Sequence, residues 1–359
     1  MGILLRPARI DSPECRRTAD VYLFPVLNMK KFIRTLSLFM LPICLFIGIY
    51  AAIDVFRVVR SHELFYTEGN RIGLNRGYGS TVTYIQQREK EQYDAFIFGN
   101  SRSLFYEVKT WREYLPQDAH PFHFDASGGS VRGLRDKIVF IDRNGDRIRH
   151  ALLVLDADLL GNEEPVEGYL YAEPPQLRNN TNWIDFQKQH FLAFLNLRFL
   201  TAWADYSLFG TYRPYMKLLL TETKEHYDPV TNEISEPLTE QQIAQGTYYD
   251  EAHIQAFDGM QFEGGYSNEK LSSKSIEWLQ EIRRIFDRHH TDYRVIIGPQ
   301  YDQLRLRPET LRHLREIFGN TAVYDFSGPS KWSKDYHNYY EPYHYRPHVA
   351  AEILRIVYR

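Results

Sequence analysis

Two short stretches of this 359-residue chain carry residue types that can do covalent chemistry. The first is Phe96-Ile97-Phe98-Gly99-Asn100-Ser101-Arg102-Ser103, an apolar run ending in Gly-polar-Ser. Such a run reads as a buried strand. It delivers the Ser101 hydroxyl to the strand's carboxyl end, where open α/β sheets bind ligands. The second is Glu341-Pro342-Tyr343-His344, just before the last helix. A serine hydroxyl is a useful nucleophile only when a base within hydrogen-bond reach takes its proton. His344 is the right type for that base, and Glu341, three residues earlier, for orienting its imidazole. This is the residue set of a serine hydrolase or an acyltransferase.

A sheet must bring these distant stretches together, and the chain reads as one. Strands are expected over residues 94–98, 121–124, 150–155, 293–297 and 321–326. Helices are expected near 80–91 and over 103–114, 131–142, 268–289, 308–318 and 347–358. Strands alternating with helices argue for a parallel sheet with helices on both faces, an α/β fold. The alternation breaks between about 160 and 265. There, residues 162–180 look like an exposed loop, and Phe191, Phe194, Leu195, Phe199, Leu200 and Trp203 recur at helical spacing. We read this as an inserted helical cap whose aromatic stripe is core.

The N-terminal part is of a different kind. Residues 35–53 form an uncharged, mostly apolar run long enough to span a bilayer, preceded by Lys30, Lys31 and Arg34,. Despite Arg57 and Arg60 on its far side, this charge pattern predicts a single-pass signal-anchor with its N-terminus in the cytoplasm. A peptide cleaved near Ile49-Tyr50-Ala51 is the rival, and the length of the run favours the anchor,. Residues 1–28 carry Pro7, Pro13 and Pro25 without helical period, and translation is expected to begin at Met29. The expected organisation is an extension or cytoplasmic tail (1–28), a membrane anchor (29–58) and a connector (59–90). An α/β domain follows in two halves (91–160 and 266–359), interrupted by the insert (161–265).

Composition narrows the partners. Net charge is −3 with both signs well mixed, so no basic face for nucleic acid is expected,. The 26 Tyr and 22 Phe suit either an aromatic core or a sugar-binding surface,. Cys15 and Cys44 are the only cysteines, which leaves no disulfide framework or cysteine zinc site after residue 60,. His337, Glu341, His344 and His348 fall at i, i+4, i+7 and i+11, but Pro342 and Pro347 would break the helix that aligned them,. Neither a metal nor a cofactor is expected.

Three blocks then stand at strand ends in order: Gly99-Asn100-Ser101, Ser127-Gly128-Gly129 and Glu341-x-x-His344. Singly each has a plainer reading, as a helix cap with Ser103 the more natural one, as a turn, and as a surface histidine among tyrosines. Together they resemble the SGNH/GDSL hydrolase superfamily over residues 90–160 and 265–359. Within it, the chain is most similar to the membrane-anchored branch of DltD-like D-alanine transfer and alginate O-acetylation proteins.

That resemblance implies a flavodoxin-like sheet sandwiched by helices. It also implies Ser101 as nucleophile, His344 as general base and Glu341, in place of the usual Asp, as its orienting acid. The oxyanion hole would use the N–H of Ser101 and of Gly128 or Gly129. The third block departs from the pattern, since Asp156-Ala157-Asp158 stands where an Asn usually donates to the oxyanion. A carboxylate cannot donate unless protonated. The hole would then use two donors or borrow Asn100 or Asn162, or the chain is an inactive member. Arg102 and Asn100 are candidate substrate contacts, Arg102 for an anionic group unless it pairs with Glu107. The implied protein sits in a bacterial inner membrane with its domain extracytoplasmic. There it would act on an acyl ester or cell-envelope glycan, with an integral-membrane acyltransferase as partner.

Overall fold

The structure is a computed structural model that describes residues 29–67, 71–217, 219–221, 226–260 and 265–359. Residues 1–28, expected to precede the true start, lie outside the described residues. The chain divides into two compact units, the first ending at Ile49 and the second being Tyr50–Arg359. Helix α1, Met29–Ile53, exposes apolar side chains such as Leu38, Phe39 and Leu41 rather than burying a stripe. Its 23-residue stretch Lys31–Ile53 is long and apolar enough to cross a membrane or to serve as a signal sequence,. The helix starts earlier than the apolar run because lysine and arginine are good helix formers,.

The second unit is built on a five-stranded sheet. Strands β1 (Ala95–Gly99), β2 (Pro121–Asp125), β3 (His150–Leu155), β4 (Asp292–Ile297) and β5 (Val323–Asp325) lie in the order β2-β1-β3-β4-β5. Every pairing is parallel. Successive side chains of a strand point to opposite faces. Phe96 and Phe98 therefore join one cluster, with Tyr84 of helix α2 (Arg76–Glu91), Ile138 of α3 (Val131–Arg143), Ile282 of α4 (Ser273–His289) and Leu314 of α5 (Pro308–Phe318). Ala95 and Ile97 join another, with Trp111 and with Ile353 and Leu354 of α6 (Pro347–Val357). Burial on both faces explains why β1 is a continuous apolar run.

Two helix starts differ from expectation, and caps explain both. Helix α2 begins at Arg76 because Asn75 Oδ1 accepts the Tyr78 N–H at 2.8 Å. The Asn75 amide also donates to the carbonyls of Tyr169 and Ala172, each at 2.8 Å. Asn75→Ala is expected to lower unfolding free energy by about 2–3 kcal/mol, from one lost cap plus the loss of a donor to the buried Ala172 carbonyl and the half-buried Tyr169 carbonyl,. Thermal or denaturant unfolding checks this, and an unchanged midpoint refutes the assignment. Helix α4 begins at Ser273 because the Ser272 hydroxyl accepts the Ser275 N–H at 3.0 Å.

Among the described residues, the region between β3 and α4 contains helices Trp183–Phe194 and Leu197–Phe209, three shorter α-helices and a small antiparallel pair, His226–Tyr227 with Ile234–Ser235. The aromatic stripe is core, as its spacing implies. Phe194 and Phe199 are buried in a third cluster with Phe56, Phe65, Tyr78 and Phe186.

Candidate active site

Strand β1 ends at Gly99, where a side chain would not fit: a Cβ there would lie 2.6 Å from the Val154 carbonyl oxygen and 2.7 Å from Ser103 Cβ. The single helix expected over 103–114 does not form. A 3-10 helix, Ser101–Phe105, is followed by Val108–Trp111 and Arg112–Tyr114, with Glu107 extended between them. Arg102, Ser103, Phe105 and Tyr106 are all buried, so no single amphipathic face exists for one α-helix to present,. The cap of the 3-10 helix is neither serine. Asn100 Oδ1 accepts the Arg102 N–H at 3.0 Å, and Ser103 Oγ donates to the Asn100 carbonyl at 2.7 Å. The Ser101 hydroxyl is thus left to another partner, His344, whose Nε2 lies 2.7 Å from Ser101 Oγ.

His344 is held by a hairpin. Strand Tyr339–Glu341 pairs antiparallel with His344–Tyr345, and the register sets Glu341 directly opposite His344. Glu341 Oε1 bonds His344 Nδ1, and its Oε2 accepts the Tyr343 N–H at 2.9 Å. Burial works against the Glu341 charge, but the His344 hydrogen bond, the nearby imidazole and the Tyr343 N–H outweigh it and hold the carboxyl below its ordinary range,. The hydroxyl, imidazole and carboxylate of Ser101, His344 and Glu341 form one hydrogen-bonded chain across 240 residues of sequence.

The other expected site residues fall nearby with altered partners. Arg102 is buried and does not reach Glu107, which pairs with Lys109 at 3.1 Å. Its guanidinium contacts Asp156 at 3.0 Å and Asp158 at 2.7 Å, and its Nε donates to the Tyr343 carbonyl at 3.0 Å. Both carboxylates hold the arginine charged despite its burial. Asp156, the departure from the expected Asn, accepts from Asn100 Nδ2 at 2.6 Å and from the Leu159 N–H at 2.9 Å. The carboxylate is therefore an anchor shared by Asn100, Arg102 and the turn after β3.

Gly128 has φ +55°, and a Cβ on it would meet the Tyr171 ring at 2.8 Å,. A Cβ on Gly129 would lie 3.3 Å from Asn100 Cβ, which places this loop beside the serine turn. The Ala126 N–H ties the loop to the Gly99 carbonyl at 3.2 Å. Among the described residues, the backbone N–H groups of Ser101, Gly128 and Gly129 donate to no protein acceptor.

Under this loop lies a buried charged cluster that sequence reasoning missed. Arg76 forks onto Asp125 at 2.8 and 2.7 Å and donates to Asn232 Oδ1 at 3.1 Å. Lys137 Nζ donates to the Phe124 carbonyl at 3.2 Å and also to that of Asp125, which accepts from Ser80 Oγ at 2.7 Å. Burial pushes the Lys137 amine down to about 7 against the pull of Asp125, with Arg76 adding to the push. The cluster fixes the end of β2, from which the glycine loop departs. One signal was available: Asp125 closes an apolar strand, and a carboxylate there needs a buried cation.

His337, Glu341, His344 and His348 share no helix: they fall in a 3-10 turn, the two strands of the hairpin and the start of α6. His337 Nδ1 bonds Asp335 and His348 Nε2 bonds Asn338, each at 2.8 Å. Compared with known proteins, the chain matches no family model, no curated protein and no solved structure.

Proposed function

We propose that this chain is a membrane-anchored, SGNH-like serine esterase or O-acyltransferase acting on a cell-envelope glycan. One observation carries the reading: Ser101 Oγ lies 2.7 Å from His344 Nε2, while Glu341 bonds the other ring nitrogen. The strand order β2-β1-β3-β4-β5 supports it, because flavodoxin-like sheets share that order and bind at the β1/β3 switch point,. Ser101 follows β1 and Asp156 follows β3.

In this mechanism His344 Nε2 takes the Ser101 proton as Oγ attacks the ester carbonyl. The N–H groups of Ser101 and of Gly128 or Gly129 stabilise the oxyanion. The leaving alcohol departs with the proton from His344, which gives acyl-Ser101. Water or a sugar hydroxyl then attacks while His344 removes its proton, and Ser101 is released carrying that proton. Glu341 keeps the imidazole oriented and stabilises its charged form.

A second reading is an inactive partner or glycan-binding protein. It is favoured by Asp156, which places a carboxylate where a third oxyanion donor would stand. A fluorophosphonate probe separates the two. Covalent labelling of Ser101, together with hydrolysis of a small acetyl ester, is expected of the enzyme. Neither reaction in folded protein would leave only the binding role.

A further inference from the structure

A cleft of about 510 Å³ opens beside the candidate site, within the range of small-molecule pockets. Its walls include Leu64, Ile72, Leu74, Leu104, Leu170 and Ile234. Two wall residues connect it to the serine. Ser127 directly precedes Gly128, and Leu104 stands three positions after Ser101 in the same 3-10 helix. Side chains at i and i+3 of a 3-10 helix eclipse each other. Leu104 therefore continues the face from which the Ser101 side chain projects.

The charge of the cleft is as informative as its shape. No Asp or Glu is among its described lining residues, and His226 is at an exposed position. Arg76 is buried, with its guanidinium engaged by Asp125 and Asn232. A cationic acyl group entering here would give up water without meeting a carboxylate among the described lining residues,, whereas each methylene of an alkyl chain gains by burial.

We infer that this cleft binds an uncharged acyl chain longer than acetyl, with its ester carbonyl presented to Ser101. The inference rests on the serine-enzyme reading above. The test is hydrolysis of p-nitrophenyl acetate, butyrate and octanoate, and of the alanine p-nitrophenyl ester, by the full-length chain in detergent. kcat/KM is expected to rise about tenfold or more from acetyl to octanoyl. The alanyl ester, with its ammonium, is expected to fall below butyrate. Leu64→Trp and Ile234→Phe narrow the cleft and are expected to flatten the rise, bringing octanoate turnover down toward that of acetate,.

Ser101-dependent turnover that is flat with chain length overturns the acyl cleft and leaves the serine reading standing. If no ester is turned over, equilibrium dialysis of p-nitrophenyl octanoate and acetate against Ser101→Ala protein decides. Preference for octanoate that Leu64→Trp removes upholds the cleft and overturns the serine reading. No preference overturns the cleft as well.

Discussion

Ser101→Ala and His344→Ala are each expected to lower ester turnover by about 10⁶-fold, and Glu341→Gln by about 10⁴-fold. Folding, read by circular dichroism and thermal unfolding, should change little, because Ser101 and His344 are only half-buried. The effects are not additive. Once the serine is gone the imidazole has no proton to relay, so the double variant Ser101→Ala/His344→Ala should be no slower than either single one. Wild-type turnover in both single variants would remove the proposed mechanism.

The Glu341 carboxylate gives this prediction a pH signature. Its folded value lies below the ordinary 4.5. Its stabilising contribution is therefore fully present above pH 4.5 and is lost as pH falls through the depressed folded value. Glu341→Gln removes this titrating group, so the loss of unfolding stability below pH 4.5 should be shallower in the variant than in the wild type,. An equally steep loss in the variant, read by chemical unfolding across this pH range, would mean that Glu341 gains nothing from its partners in the folded state.

The parts of the fold legible in sequence were those governed by local rules. Strand β3, His150–Leu155, is apolar without a break from Ala151 on, and Pro308 opens α5 at the position where its missing N–H costs nothing,. The Ser101–His344–Glu341 chain was legible because strand ends supply ligand sites and the residue types are few. The single helix expected over 103–114 does not form because periodicity measures one buried face, and this segment buries side chains on several. Arg102 does not pair with Glu107, for another reason. Its partners Asp156 and Asp158 lie on a different strand end, and only the sheet brings them near. The same holds for Arg76, Asp125 and Lys137, whose pairing nothing in local spacing announces.

Arg102 carries the second large expected effect. Its guanidinium joins three parts of the site, since it follows the serine directly, pairs with the carboxylates after β3, and donates to the carbonyl of Tyr343, the residue before His344. Arg102→Met would leave Asp156 buried without its cation, which is expected to cost about 3–5 kcal/mol of stability. Adding Asp156→Asn removes the stranded charge, and the double variant should recover most of that loss, a coupling that a double-mutant cycle measures. Activity should not recover, because the tie to the Tyr343 carbonyl is still missing. Arg102→Lys isolates that tie, since the charge remains but the planar fork cannot hold both carboxylates and the hairpin carbonyl at once. Its kcat is expected to fall about 10–100-fold with KM nearly unchanged, because a displaced imidazole harms proton transfer more than ground-state binding. A variant with wild-type kcat would show that the His344 hairpin holds its geometry unaided, and Arg102 would then be a stabilising residue alone.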